Sequence, residues 1–276
     1  MNKLTQKEIS FFKREGYLFK RGVMDPELMA RARKRLWDGA PPRMKRDDPS
    51  TWMGPFRPDE EDEGPGNRRV GYMWKYCEPR AEEWIVRMSA TDPTIWVWVE
   101  QLLGKGEVKR PERIRGIYCH LPMTDEPKEP IGCHCDIAWN SRPAMDEILA
   151  PRVGLVGLIA PIPPRGGAFT VWPRTHRIIY DLFLNFEEGE RVEAYNKHII
   201  EFKNRTPVEG HGEAGDILFW HGFLAHTAGR NRSEEIQLRE AVLCDYSKQE
   251  NEKLAGQRPH EDMWREWSEE IRGAAI

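Results

Sequence analysis

No stretch of this 276-residue chain stays apolar over the roughly 20 consecutive residues that a membrane-crossing helix requires. Its first eight residues, MNKLTQKE, are too polar to act as a secretory signal. Cysteine is scarce, with five residues at irregular spacing. That excludes a disulfide framework and fits reduced thiols in a cytoplasm. Neither sign of charge dominates: 42 Lys and Arg stand against 45 Asp and Glu, for a net charge of −3. Such a balance exerts no general pull on nucleic acid or on an anionic membrane. Internal repeats and coiled-coil heptads are missing too. What is present is a 39% share of hydrophobic residues, enough for a sizeable core. The 11 tryptophans suit core packing, or more sharply an aromatic-lined pocket. The expectation is a single domain over 1–276, cytoplasmic, monomeric or homodimeric.

Thr5-x-x-Glu8 is a capping box that predicts a short helix carrying Ile9 and Phe12 and ending at Gly16. Tyr17 to Lys20 reads as a strand. Asp25-Pro26 opens a second helix with Leu28, Met29, Ala32 and Leu36 at helical spacing. Residues 39–70 are rich in Pro, Gly and charge, and hold five consecutive acids from Asp59 to Glu63. They read as a solvated loop, with a lid over a pocket as the alternative. Residues 81–103 look helical. From Arg113 onward, short β-type runs alternate with Gly- and Pro-containing turns, at 113–121, 131–137, 153–162, 167–173, 215–221 and 237–246. A helical stretch at 178–203 interrupts them. The tail places Met263, Trp264, Trp267 and Ile271 on one helical face, read as a docked helix or, less readily, a dimer contact. The division expected is an N-terminal helical region 1–110, a sandwich or jelly-roll core 111–247 with an insertion at 178–203, and a helical tail 248–276.

The segment Gly132-Cys133-His134-Cys135-Asp136-Ile137 carries the chemistry. Alternate residues of a strand share a face. His134 and Asp136 therefore point one way, and Cys133 and Cys135 the other. One imidazole and one carboxylate on a common face are two legs of a two-histidine, one-carboxylate triad, which leaves metal positions open as in non-haem iron(II) oxygenases. A third leg must come from far along the chain. The apolar run from Gly215 to His226 offers two candidates, His226 before the turn Gly229-Arg230-Asn231, and His221. Structural zinc at Cys133-His134-Cys135 is disfavoured, because adjacent strand residues diverge and no second Cys/His pair has zinc spacing. Arg239 follows on the next strand, and a buried guanidinium there would suit the distal carboxylate of 2-oxoglutarate. Trp139, Trp172 and Trp220 flank these motifs as candidates to line a substrate pocket.

These phrases resemble the phytanoyl-CoA dioxygenase family over nearly the whole chain. The resemblance runs from Leu4-Thr5…Ile9-x-Phe11-Phe12…Glu15-Gly16-Tyr17, through His134-Cys135-Asp136 and Gly166-Gly167-Ala168…Trp172-Pro173-Arg174-Thr175-His176-Arg177, to Gly215-Asp216…His226…Asn231-Arg232-Ser233…Arg239. It implies a double-stranded β-helix (jelly-roll), mainly β with flanking helices. It implies Fe(II) held by His134, Asp136 and His226, and 2-oxoglutarate anchored by Arg239, with His120 as a further polar contact. Oxidative decarboxylation of 2-oxoglutarate by O2 would be coupled to oxidation, usually hydroxylation, of a small molecule. The presence of Asp136, where related halogenases carry Gly or Ala, points away from halogenation. Two alternatives are a cupin-type metalloenzyme that does not use 2-oxoglutarate and a catalytically silent jelly-roll binding protein. Arg174 stands where many relatives have Gly, and His120 is not the commonest residue at its position.

Overall fold

A computed structural model describes residues 3–124, 131–136, 151–254 and 259–276. The central strands of the main sheet bury both faces, one against helices and one against a second sheet. Eight antiparallel strands form the main sheet in the order β1-β9-β6-β11-β5-β4-β3-β2. They are β1 (Tyr17–Lys20), β2 (Asp62–Glu63), β3 (Asn67–Val70), β4 (Met73–Tyr76), β5 (Gly116–His120), β6 (Arg152–Leu158), β9 (Ile217–His221) and β11 (Arg239–Ser247). A smaller sheet holds β10 (His226–Ala228), β7 (Phe169–Val171) and β8 (Val208–Glu209) in that order.

Alternate residues of the main sheet serve different cores. Leu155, Ile217, Phe219, Val242 and Cys244 face the helical layer of α1 (Gln6–Glu15), α2 (Pro26–Asp38), α3 (Glu83–Ser89) and α4 (Pro93–Leu103). Val156, Leu158, Leu218, Trp220, Ala241 and Leu243 face the other way, against Ala168, Phe169 and Val171 of the small sheet. This is the two-sheet arrangement expected of a jelly-roll core. Gly154 makes it fit, since a Cβ there would lie 2.1 Å from the Trp220 ring.

Local signals place the helices. The capping box at Thr5 and Glu8 forms with both hydrogen bonds present, and Gly16 ends α1 in the left-handed region at φ 84°. Asp25 caps α2, and Asp92 followed by Pro93 splits 81–103 into two helices. The 178–203 stretch becomes α5 (Thr175–Asn185) and α6 (Glu188–Phe202).

Three expectations need correction. The N-terminal region is not merely helical: besides the expected strand β1, the strands β2, β3 and β4 join the main sheet. Much of 39–70 is likewise built structure and not a solvated loop. Phe56 is buried, Trp52 packs on Trp37, and Glu60 takes a paired contact from Arg43 at 2.8 and 3.1 Å. The acidic run is accommodated because Glu60 turns inward to a guanidinium while Asp62 and Glu63 pair with Arg69 and Arg68 across β2 and β3. In the tail, the described residues hold only two short helices, Asn251–Leu254 and Glu269–Gly273, and Met263, Trp264 and Trp267 lie in neither. Trp264, Trp267 and Ile271 are nevertheless buried together, so the apolar spacing reported docking and not helix.

Candidate metal centre

Two β-bridge hydrogen bonds bring the distant parts of the triad together. The His134 amide donates to the His226 carbonyl at 2.9 Å, and the His226 amide donates back at 2.8 Å. Their rings lie 4.6 Å apart. One residue further along the shared face, Asp136 turns its Oδ1 to 3.5 Å from His226 Nε2. One donor atom from each of the three lies within 4.8 Å of the others, a spacing that suits a single ion; it is the one such cluster among the described residues.

Each donor is prepared for a metal. His226 Nδ1 sits 2.8 Å from the Leu224 carbonyl. Donation there places the proton on Nδ1 and leaves the Nε2 lone pair free. Phe169 stacks on the same ring at 4.9 Å, and Trp220 lies 5.5 Å away. Burial, with the nearby His226, pulls the His134 pKa down to about 4, so its imidazole is neutral near pH 7. Burial alone would raise the Asp136 carboxyl, but His226 and then Arg115 hold it well below the usual range.

Cys133 and Cys135 do diverge from the ligands, as strand alternation requires. They join a core of Trp172, Ile179, Phe183, Tyr195, Phe202 and Phe223. The Tyr195 hydroxyl, from α6, accepts the Cys135 amide at 3.0 Å. The insertion therefore braces the back of the ligand segment. On the other side, the Thr175 hydroxyl donates to the Trp172 carbonyl at 2.7 Å and accepts the Ala225 amide at 2.9 Å. That bond pins the turn delivering His226. Arg174, just before it, has φ 68°, a left-handed conformation that favours glycine. Its side chain compensates with two bonds of 2.8 Å to Glu15.

His221 is not brought to the site. It stacks on Trp267 at 4.8 Å and accepts the Phe223 amide through Nδ1 at 3.0 Å. The alternation of β9 explains this: Trp220 faces the small sheet and His221 the tail. Arg239 and His120 are directly paired across β11 and β5. Arg239 is 1% exposed, and its Nε and Nη2 find no partner; Nη1 alone reaches the Tyr118 carbonyl at 3.4 Å. Burial lowers its pKa to about 10, and burial with Arg239 lowers that of His120 to about 3. A buried guanidinium without a counter-ion is costly, and an anionic ligand would relieve that cost. Asn231 closes this corner, donating from Nδ2 to the carbonyls of His120 and Gln237 at 3.1 and 2.7 Å.

Of the three tryptophans, Trp220 borders the metal site, at 0% exposure. Trp172 is packed behind the ligand segment, which removes it from a pocket wall. Trp139 lies outside the described residues. One neighbour of the triad has no signal in a linear motif. Arg115, just before β5, donates to Asp136 Oδ2 at 2.8 Å and to both oxygens of Asp245 at 2.5 and 2.6 Å. Its only hint was a cation at the start of an otherwise apolar strand.

Fold and site together define a jelly-roll protein with a cluster of two histidines and one carboxylate that could hold a metal ion, and with a buried arginine on β11. The chain belongs to the phytanoyl-CoA dioxygenase family, whose model matches residues 12–241. Among solved structures it is similar to EctD from S. alaskensis, crystallised with 2-oxoglutarate and 5-hydroxyectoine (18% identity, 93% of this chain and 85% of that one, TM-score 0.55). It is similar to HygX from Streptomyces hygroscopicus, with nickel and 2-oxoglutarate bound (17%, 89% and 88%, TM-score 0.54). A third is the non-heme alpha ketoglutarate dependent epimerase SnoN from nogalamycin biosynthesis (18%, 88% and 80%, TM-score 0.54). At these identities the likeness is one of fold. Comparison with curated protein sequences returns no match. Among the described residues, no helix is long and apolar enough to cross a membrane.

Proposed function

We propose that this chain is an Fe(II)- and 2-oxoglutarate-dependent dioxygenase that oxidises a small molecule, with hydroxylation the expected outcome. The observation that carries the reading is the unpartnered, buried guanidinium of Arg239, in a chain that also holds a three-donor cluster fit for one ion. A cupin-type enzyme without 2-oxoglutarate, or a silent binding module, would have no use for such a cation. His134, Asp136 and His226 would hold the iron. When bound, iron with 2-oxoglutarate supplies the O2 activation that oxidises substrate and releases succinate and CO2.

The chain's own groups do the rest. Arg239 would fix the distal carboxylate of 2-oxoglutarate through its fork of N–H donors. His120, kept neutral by burial and by Arg239, adds a polar contact without a second charge. Asp136 stays ionised, so its donor oxygen is available at neutral pH. His226 keeps its proton on Nδ1, facing Leu224. Phe169 and Trp220 wall the histidine with apolar surface and exclude water from that flank. SnoN, of similar fold, is an epimerase, so the outcome at the substrate carbon must be tested directly. Purified, iron-loaded protein should release succinate in the presence of a subset of a metabolite panel, with mass analysis of the product. A protein that neither binds 2-oxoglutarate nor releases succinate with any panel member would overturn the reading.

A further inference from the structure

Arg115 sits where a guanidinium can govern how Asp136 binds. Its Nη2 donates to Asp136 Oδ2 at 2.8 Å, while Nη1 stands 3.4 Å from Oδ1. The contact is uneven: Oδ2 takes the short bond from Arg115, while Oδ1, held only by the longer bond from Nη1, also faces the histidine pair at 3.5 Å from His226 Nε2. Arg115 is itself held. Asp245 takes its Nε and Nη2, Arg152 approaches Asp245 at 3.2 Å, and the Trp220 ring lies 5.8 Å from the guanidinium carbon. Opposed charges on Asp245 and Asp136 raise the Arg115 pKa above its ordinary value against the lowering effect of burial, so the charge is permanent. The backbone contributes as well. Gly116 has φ 144°, and a Cβ there would lie 2.8 Å from the Tyr76 carbonyl. Glycine thus lets the chain bend into β5 immediately after Arg115.

We propose that Arg115, anchored by Asp245, is a positioning residue that reserves Asp136 Oδ2, so that the carboxylate offers the metal one oxygen and leaves the remaining positions for co-substrate and O2. This rests on the reading of the triad as a metal centre. A carboxylate free on both oxygens can chelate an ion through both, which would occupy a position the reaction needs. The guanidinium prevents this by satisfying Oδ2 with a charge-assisted hydrogen bond of fixed direction. A second effect follows from the same contact: Arg115 withdraws charge from the ligand and makes it a weaker donor.

The test uses full-length protein and Co(II), whose visible absorption reports coordination number, followed by anaerobic addition of 2-oxoglutarate. Four proteins are compared: the parent, Arg115→Gln, Arg115→Lys and Asp245→Asn. Arg115→Gln should tighten Co(II) binding about 10-fold, because Asp136 is then the stronger donor and can offer both oxygens. It should also change the shape and intensity of the Co(II) bands and lower the affinity for 2-oxoglutarate. Arg115→Lys should restore the parent spectrum in part, because the charge remains while the fork is lost. Asp245→Asn should shift the spectrum the same way as Arg115→Gln but less. A merely structural arginine would alter thermal unfolding without moving the spectrum of the fraction that binds. If Arg115→Gln does not fold, the other two variants decide the matter. Parent-like Co(II) affinity and spectrum in Arg115→Gln, or in both other variants, overturns the role of Arg115 alone. Failure of the parent to bind Co(II) or Fe(II) overturns the metal-centre reading, and the role falls with it.

Discussion

His134 and His226 are bonded to one another through their backbones before any ion is considered, each donating its amide to the other's carbonyl. The ring spacing of 4.6 Å is a product of strand pairing and not of coordination. A site pre-assembled in this way loses its ion, and not its fold, when a ligand is removed. His134→Ala, Asp136→Ala and His226→Ala should each weaken Fe(II) or Co(II) binding by more than about 100-fold, beyond the range for loss of a supporting partner. Their unfolding transitions should stay cooperative. His221→Ala should do the reverse: full metal binding, with a loss of about 2–4 kcal/mol from the cavity left against Trp267. Metal titration beside denaturant unfolding separates the two, and parent-like metal binding by His226→Ala would return His221 to candidacy.

Arg239 sets function against stability. Without an anion it is a buried cation with two unpartnered nitrogens. Arg239→Met should therefore leave the ligand-free protein at least as stable as the parent. The same change should weaken 2-oxoglutarate binding about 10- to 150-fold, equivalent to roughly 1.5–3 kcal/mol for a charged hydrogen bond. Thermal unfolding with metal, with and without 2-oxoglutarate, measures both. An unchanged ligand-induced shift would remove Arg239 from the co-substrate site.

Tyr195 supports the ligand segment from behind. Tyr195→Phe strands the buried Cys135 amide, at a cost of about 1–3 kcal/mol. Because that amide lies between His134 and Asp136, metal affinity should fall by about 10-fold as well. Isothermal titration with Co(II) checks this, and a stability loss with unaltered metal affinity would confine Tyr195 to packing.

The metal-free protein should be sensitive to mild acid. Burial lowers the pKa of His176 to about 3, and burial with His176 holds His221 well below its ordinary value. In the unfolded chain both take up a proton near pH 6.5. Depressed histidines bind fewer protons when folded, so their contribution is complete above pH 6.5 and is lost as pH falls from there toward 3. Each can remove up to about 1.4 kcal/mol per pH unit. Urea unfolding at pH 7.5 and pH 5.5 should differ by about 5 kcal/mol, about 1.4 kcal/mol each from these two and from the similarly depressed His120 and His134, and His221→Phe should reduce the difference. Equal stability at the two pH values would show that these rings are charged in the folded state.

The legible parts of the sequence were those in which one residue has one local consequence. Thr5 with Glu8, Asp25 with Pro26, and Gly16 announce helix ends because the bonds they make lie within four residues. The His134-x-Asp136 pair was legible because strand alternation fixes its face. The third ligand was only narrowed to two, since the bend between β9 and β10 decides which histidine turns inward. Arg115 and Tyr195 were hidden for a further reason. Each meets the triad across 21 and 60 residues respectively, in contacts that exist only once both sheets and the insertion have packed. The strands within 39–70 were masked by their charge, which Arg43 and the β3 arginines neutralise by pairing.

His134 and His226 stand 92 residues apart in the chain, from 134 to 226, and Asp136 lies beside the first. An ion held by all three would therefore behave as a reversible crosslink closing a long loop. By the loop-entropy relation that governs disulfides, a closure of this length restricts the unfolded chain by an amount on the order of 4 kcal/mol. A cross-link made by coordination opens when free metal is scarce. The lifetime of the folded chain would then track the supply of metal around it, so that starvation for the ion thins out the protein as well as silencing it.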